Sequence, residues 1–292
     1  MKITTECIPC LIKRIIFEAE NSTDDPEIRK KVIKNTCRIL SELYDPNLSS
    51  AYIATKAHKL AYETLQNDDP YKNLKKTAND VAKKIVPHVE ELIKKSDDPL
   101  KTSMICSIIG NMMDFGIDGA TSNPETLEDI FDETFSQGLG YEDYDELIKI
   151  LDKSERIMFF TDNCGEIVFD KILIRELKKK FKNMNITVVV KGEPIISDAT
   201  LDDAVDLKIN DFADRILTTG SFFIGINYEN IPSNLKDSLD KSDIIICKGM
   251  ANYEAFSETN YRPICYLLRS KCRPISSSMN IPQNVNAIKL YK

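Results

Sequence analysis

The spacing of apolar residues changes near the middle of the chain. Before residue 153, apolar residues recur every three or four positions, a spacing that predicts amphipathic helices. The first such stripe lies within 8–16, and a second helix is predicted to start after Asp24-Asp25-Pro26. Further helical patterns cover 49–66, 70–95, 99–115, 124–136 and 142–152. We expect Pro87 to kink or divide the helix over 70–95, because proline removes a backbone donor.

After residue 152 the pattern becomes a series of short runs rich in Val, Ile and Phe. These runs lie at 156–161, 186–190, 214–218, 243–247 and 263–268, with a weaker one at 285–290. Helical patterns separate most of them, which predicts a parallel sheet with right-handed crossovers. The predicted fold class is therefore α/β. A mostly parallel, Rossmann-like sheet flanked by helices forms a domain over 153–292, and an all-helical region occupies 1–152.

Polar residues follow the predicted strands. They include acids, amides, lysines and a glycine, namely Asp162, Asn163, Glu166, Asp198, Lys248, Gly249, Asn252 and Lys271. The carboxyl ends of parallel strands meet at one edge of a sheet, and ligands of open α/β sheets bind at that edge. Solvated loops are often polar as well, but five such loops at one edge predict a functional site.

The residue types at this edge indicate its chemistry. Asp162, Asn163 and Asp198 offer hard oxygen donors, which suit Mg²⁺ or Mn²⁺. The helix that begins after Gly165 would offer N–H groups and a positive dipole end to an anion. Lys248 and Lys271 are candidates for neutralising phosphate. A divalent cation, a helix N-terminus and lysines together are suited to binding a phosphoryl group and stabilising its transfer.

Other phosphate chemistries fit the sequence less well. There is no G-x-x-x-x-G-K-[ST] motif, and no complete G-x-G-x-x-G follows a predicted strand. Cys164, at a helix start, could be an activated thiolate, but a cysteine phosphatase loop would need arginine where Asp170 stands. An aspartyl-phosphate enzyme would usually have a second aspartate at the position of Cys164. The remaining prediction is a metal-activated water as nucleophile.

Composition limits the partners. The net charge is −7 and no Lys/Arg block stands apart from acidic neighbours, so we expect no nucleic-acid partner. No apolar run approaches the roughly 20 residues of a membrane span, and Met1-Lys2 leads into no apolar segment of the kind that a signal peptide contains, so we expect neither a membrane span nor a secretory signal. The eight cysteines are scattered without a disulfide-scaffold pattern, which favours a reducing cytoplasm. The oligomeric state is left open.

Several motifs together resemble one known family. They are TDNCGEIVFD at 161–170, the Asp198 of ISDAT, CKGMANYEAF at 247–256, GNMMDFG at 110–116 and LLRSKCRPI at 267–275. Taken in chain order, they are similar to the motifs of the metal-dependent damage-control phosphatases, which include the acidic-residue-methyltransferase-like proteins. The N-terminal ECIPC resembles the archaeal-type subfamily with a C-x-x-C motif. The resemblance spans nearly the whole chain.

The resemblance implies a divalent-cation-dependent phosphatase that hydrolyses small phosphorylated metabolites, such as sugar phosphates. Mg, Mn, Co and Ni are the candidate cofactors. By the same resemblance, Asp162, Asn163 and Asp198 would bind the metal and carry catalysis. The residues implied to bind substrate or phosphate are Asn111, Asp114, Glu166, Asn252 and Lys271. By pattern alone, Asn111 and Asp114 share a helix face and could equally form a C-terminal cap.

The sequence leaves two questions open. The first is whether the protein is an enzyme, because the alternative is a non-catalytic phosphometabolite-binding or cysteine-metal sensor that uses the same sheet edge. The second question concerns Cys7 and Cys10, whose C-x-x-C spacing at a helix start suits a second metal site, a redox pair or structural thiols. Phosphate release on adding a divalent metal would separate the enzyme from the sensor.

Overall fold

The computed structural model of the protein describes residues 1–113 and 124–292. Within these ranges one sheet contains β1 (Tyr141–Glu142), β2 (Arg156–Phe160), β3 (Asn185–Val190), β4 (Arg215–Thr218), β5 (Ile244–Lys248), β6 (Ile264–Arg269) and β7 (Asn286–Tyr291). The strand order is β1-β7-β6-β5-β2-β3-β4. Among these neighbouring strands of the described chain, β6 and β7 are antiparallel, and every other pair is parallel. The sheet is therefore mostly parallel, as predicted.

The helices of the described chain are α1 (Cys7–Ser22), α2 (Pro26–Leu43), α3 (Ser50–Leu65), α4 (Lys72–Lys95), α5 (Pro99–Ile109), α6 (Pro124–Ser136), α7 (Tyr144–Leu151), α8 (Glu166–Lys180), α9 (Leu201–Asp206), α10 (Ser233–Asp240), α11 (Gly249–Phe256) and α12 (Arg273–Met279). A 3₁₀ turn, Gly110–Met113, extends α5. Pro87 lies inside α4, which continues through it, so of the two expected effects the division of this helix does not occur.

Side chains alternate between the two faces of the sheet and build two separate cores. Ile157 and Phe159 of β2 belong to one core, together with side chains from α4, α5 and α8. Met158 and Phe160 belong to the other core, with side chains from α10, α11 and α12. Because parallel strands are covered by helices on both faces, they read as unbroken apolar runs in the sequence.

Helices α1, α2 and α3 form a third core that reaches the loops of the sheet. Ile195 and Ile196, which follow β3, and Ile224, which follows β4, are buried in this core. The amide N–H of Ile196 donates to the Tyr62 hydroxyl of α3 at 3.0 Å. The helical region therefore packs against loops at the carboxyl edge of the sheet, next to the predicted site.

The six apolar runs predicted as strands correspond to β2–β7. The short strand β1 was not predicted, because two residues are too few to show a periodic pattern. The division between residues 152 and 153 stays a prediction, and the core on the α5 and α8 side includes side chains from both parts. No helix in the part of the chain that the structure describes is long and apolar enough to cross a membrane.

Candidate active site

The strand order reverses between β2 and β5. From β2 the chain proceeds outward through β3 to β4, then returns to place β5 on the opposite side of β2. Loops that leave two such neighbours diverge, and the crevice between them is the usual ligand site of an open α/β sheet. The residues after β2 and those after β5 border this crevice.

The loops after β2 and β3 pair with each other beyond the ends of their strands. Asn163 and Asp198 form an isolated antiparallel bridge. The amide N–H of Ala199 donates to the carbonyl of Asp162 at 2.8 Å, and that of Lys191 donates to the carbonyl of Ala199 at 2.9 Å. This backbone pairing brings together the three residues that the sequence suggested as metal ligands.

The Asp162 carboxylate lies against two amides and one glycine. Its Oδ2 accepts from Asn111 Nδ2 at 3.1 Å and from Asn163 Nδ2 at 2.8 Å. Gly249 has φ +70°, and a Cβ added there would lie 1.7 Å from Asp162 Oδ2. Gly249 therefore permits the close approach of Asp162 to the start of α11, in addition to a backbone conformation that suits glycine.

Asp198 is paired with a lysine to which the sequence analysis gave no role. Lys191 Nζ lies 3.2 Å from Asp198 Oδ2 and donates to the Gly225 carbonyl at 2.7 Å. Both side chains are buried. A buried charge is stable only when it is paired, so Lys191 compensates Asp198. The available signal was its place as the first polar residue after the apolar run of β3.

Lys248 does not fit the phosphate contact that we predicted for it. Its side chain is fully buried, and Nζ donates to Glu166 Oε1 at 2.6 Å, Asp170 Oδ1 at 2.6 Å and the Ser107 carbonyl at 3.0 Å. An ammonium has three N–H donors, and all three are used. Lys248 therefore lies beneath the sheet edge, between β5 and the helices α5 and α8.

Glu166 lies behind Asp162, with both of its oxygens engaged. Oε1 accepts from Lys248, while Oε2 accepts from Asn111 Nδ2 at 3.0 Å and from the Asn163 amide N–H at 3.2 Å. The side chain is fully buried. In this arrangement Glu166 orients the groups around Asp162, and the substrate contact implied by the resemblance stays a prediction.

Asn252 and Lys271 connect parts of the site. Asn252 Nδ2 donates to the carbonyls of Thr161 and Lys248, at 2.9 and 2.8 Å, and so joins the ends of β2 and β5. Lys271 is half-buried, and its Nζ donates to the Asn111 carbonyl at 2.7 Å. Lys271 thus reaches the same group of residues from the end of β6.

The N-terminus of α8 is largely satisfied by protein acceptors. The Gly165 N–H donates to Asn79 Oδ1 at 2.6 Å, and the N–H groups of Ile167 and Val168 donate to the carbonyls of Asn163 and Gly165. These three donors are therefore not directed at an anion in this arrangement. Asn79 was not among the predicted site residues, although an amide within the apolar stripe of α4 is a visible signal in the sequence.

Cys164 is buried and is not poised as a nucleophile. Burial raises the pKa of its thiol well above the usual value, and the nearby Asp203 raises it further. The reactive form of a cysteine is the thiolate. The environment therefore disfavours a phosphocysteine route, in agreement with the absence of an arginine at position 170.

We accordingly expect Cys164→Ala to retain at least part of the phosphatase activity. The substitution removes one buried sulfur atom and none of the oxygen groups around Asp162. Initial rates of phosphate release, with and without prior alkylation of the thiols, would test this expectation. A phosphorylated Cys164 trapped in a quenched reaction would contradict it.

The remaining candidates are Cys7, Cys10 and Asp114. Cys7 is half-buried at the start of α1 and Cys10 is exposed. Across 1–113 and 124–292, no group of three or more His, Cys, Asp or Glu side chains is arranged to hold a metal ion. The C-x-x-C pair thus keeps its alternative interpretations. Asp114 lies outside the described residues.

The donor set of Asp162, Asn163 and Asp198 fits a divalent cation. Two carboxylates and one amide oxygen are hard ligands of the kind that Mg²⁺ and Mn²⁺ prefer. Asn163 Nδ2 faces Asp162, while Asn163 Oδ1 accepts from Ser197 Oγ at 2.7 Å. In this arrangement the hydroxyl of Ser197 therefore orients the Asn163 oxygen.

Comparison with known proteins identifies the family of the chain. The damage-control phosphatase ARMT1-like domain matches residues 3–286. The chain belongs to this family. A protein from Archaeoglobus fulgidus named damage-control phosphatase is 37% identical over 281 residues, covering 96% of both chains. A damage-control phosphatase from Pyrococcus horikoshii is 28% identical over 283 residues, covering 97% of this chain and 96% of the relative.

The fold agrees with the same family. A crystal structure of a DUF89-family protein from Pyrococcus horikoshii superposes with a TM-score of 0.90 at 27% identity, covering 100% of both chains. Membership of the damage-control phosphatase family supports a phosphatase role for this chain. The family resemblance noted from the sequence motifs is thus confirmed.

Proposed function

We propose that this protein is a divalent-metal-dependent phosphomonoester hydrolase that acts on small phosphorylated metabolites. The observation that carries the proposal is the backbone bridge between Asn163 and Asp198, which brings the loop that carries Asp198 beside the loop that carries Asp162 and Asn163, at the switch point of the sheet. Family membership supports the phosphatase role, and the hard oxygen donors support the cation.

Each residue has a proposed part in this function. Asp162, Asn163 and Asp198 would hold the cation, which when bound polarises phosphoryl oxygens and lowers the pKa of a coordinated water. Asn111 holds the Asp162 carboxylate in place through its side-chain amide. Lys271, at the same group of residues, would neutralise the phosphate oxygens of the substrate.

The direct test is phosphate release from a panel of sugar phosphates and other phosphomonoesters, with Mg²⁺, Mn²⁺, Co²⁺ or Ni²⁺ added to metal-free protein. We expect release only with metal, and none after chelation. Saturable binding of a phosphorylated compound without release under any of these conditions would favour the non-catalytic sensor instead. Release that persists in metal-free protein would contradict the metal requirement.

We expect Lys271→Met to lower kcat/KM by roughly 10²-fold, the loss found for one strong electrostatic contact in a transition state. Methionine keeps much of the length of the side chain but removes the charge. Metal affinity, measured by calorimetry without substrate, should be unchanged or slightly tighter. The matched control is Lys236→Met, which removes an exposed lysine from α10. Kinetics like those of the control would remove Lys271 from the site.

A further inference from the structure

A fully buried charge network lies beneath the candidate site and joins three elements. Its members are Ser107 of α5, Glu166 and Asp170 of α8, and Lys248 of β5. Asp170 Oδ1 accepts from Ser107 Oγ at 2.6 Å and from Lys248 Nζ at 2.6 Å. Glu166 and Asp170 are four residues apart and so share one face of α8. One lysine can therefore bridge both carboxylates.

The charges of this network do not balance. Two carboxylates share a single ammonium, and their side chains have no exposure to solvent. In the part of the chain that the structure describes, Asp170 Oδ2 has no hydrogen-bond partner. Burial raises the pKa of the Asp170 carboxyl, and Lys248 opposes this rise. A buried charge that is not fully compensated lowers the stability of the fold. Glu166 and Lys248 alone would form a neutral pair, so the second carboxylate, Asp170, is not needed to balance the charge.

The network leads directly to the site. Lys248 holds Glu166 Oε1, and Glu166 Oε2 accepts from Asn111 Nδ2. The same Asn111 Nδ2 donates to Asp162 Oδ2, so both of its N–H groups are oriented by carboxylates. The position of the Asn111 amide against Asp162 thus depends on how Lys248 holds Glu166.

We propose that Asp170 is a positioning residue that acts through Lys248 on Glu166, and through Glu166 on the Asn111 amide beside Asp162. By sharing the ammonium, Asp170 prevents Lys248 from neutralising Glu166 completely. Glu166 then remains a strong acceptor for Asn111 and for the Asn163 N–H, since hydrogen bonds to a charged acceptor are stronger. The kinetic part of this inference rests on the proposed phosphatase function.

The test is a double-mutant cycle of Asp170→Asn and Glu166→Gln. Asp170→Asn alone should lower kcat by about tenfold with little change in KM. An effect of this size is within the range of interaction energies measured between residues of one hydrogen-bond network. Its Tm should be unchanged or higher, because the change removes uncompensated buried charge. In the Glu166→Gln background, Asp170→Asn should have no further effect. Additive losses would overturn the proposal.

The matched control is Glu176→Gln, which also converts a buried carboxylate of α8 into an amide. Glu176 pairs with Arg175 and Lys179 and takes no part in the network. Activity should stay at the wild-type level in this variant. If Asp170→Asn fails to fold, Ser107→Ala removes one donor to Asp170 and so changes how strongly Asp170 draws the Lys248 ammonium away from Glu166. We expect kcat to change in this variant, and an unchanged kcat in a folded Ser107→Ala protein would count against the proposal.

A second measurement needs neither metal nor turnover. In proton–nitrogen correlation spectra, the side-chain amide signals of Asn111 can be identified by their loss in Asn111→Ser. These signals should shift in Asp170→Asn and stay in place in Glu176→Gln. If the wild-type protein releases no phosphate, the proposed function fails and this measurement decides the inference alone. Unshifted Asn111 signals in Asp170→Asn would overturn it.

Discussion

Asp162→Asn and Asp198→Asn should each abolish phosphate release, but with different effects on stability. Each change removes one carboxylate from the proposed cation site, which commonly costs several kcal/mol of transition-state stabilisation. At position 162 the fold should be retained, because Oδ2 accepts from the neutral side-chain amides of Asn111 and Asn163, and asparagine keeps an oxygen acceptor of similar size there. At position 198 the change leaves the buried Lys191 ammonium without its carboxylate. We therefore expect a loss of about 3–5 kcal/mol in the free energy of unfolding.

Denaturant unfolding and initial rates, measured on the same preparations, would check both expectations. The double variant Lys191→Met with Asp198→Asn removes both charges and should recover most of the stability, but no activity. This combination separates the loss of a cation ligand from the loss of an ion pair. Wild-type rates in either single variant at saturating metal would rule out the assignment of these ligands.

Gly249→Ala should disable the site by displacing Asp162. The added methyl carbon would lie 1.7 Å from Asp162 Oδ2 and 2.3 Å from its Cγ, so the carboxylate must move. We expect kcat/KM to fall by roughly 10²-fold or more, as for a misplaced group in a preorganised site. Calorimetry should show weaker Mn²⁺ binding in the same variant. The φ of +70° adds a cost of about 1–2 kcal/mol in stability.

The chain offers a matched control for this substitution. Gly138 has φ +64°, and a Cβ added there would meet nothing within 4 Å. Gly138→Ala therefore carries a similar backbone strain without a steric clash. It should lose a similar 1–2 kcal/mol of stability and keep its activity. Equal kinetics in the two variants would show that Gly249 is not needed for the placement of Asp162.

Local patterns were sufficient to predict most of the fold. Strand β5 is an unbroken apolar run that ends in Lys248, and strand β2 contains an apolar run that is followed by Thr161, Asp162 and Asn163. Each run is long enough to require burial on both faces, and helical patterns separate most of them, which together predict a parallel sheet. The edge strand β1 was missed because it has two residues and depends on pairing with β7.

The role of Lys248 shows where local patterns fail. The sequence pattern correctly placed Lys248 at the end of β5, but it did not predict the direction in which this side chain points. Ile244 and Ile246 belong to the core beneath α5 and α8, and the two-residue period of a strand puts Lys248 on that same face. Which face carries Glu166 and Asp170 depends on the packing of α8. No pattern within β5 contains that information.

The sequence by itself determined which polar residues lie at the carboxyl edge of the sheet, because each of these residues follows an apolar run that must form a buried strand. Only the tertiary structure decided the partners: Asp162 with Gly249, Asp198 with Lys191, and Glu166 with Lys248. These pairs join residues that are 7 to 87 positions apart, and the structure that brings them together differs from pair to pair. Strand order places β5 beside β2, a loop after β3 turns back on its own strand, and α8 packs over β5. Such contacts follow from the packing of whole elements, because the sequence near either partner does not specify the other.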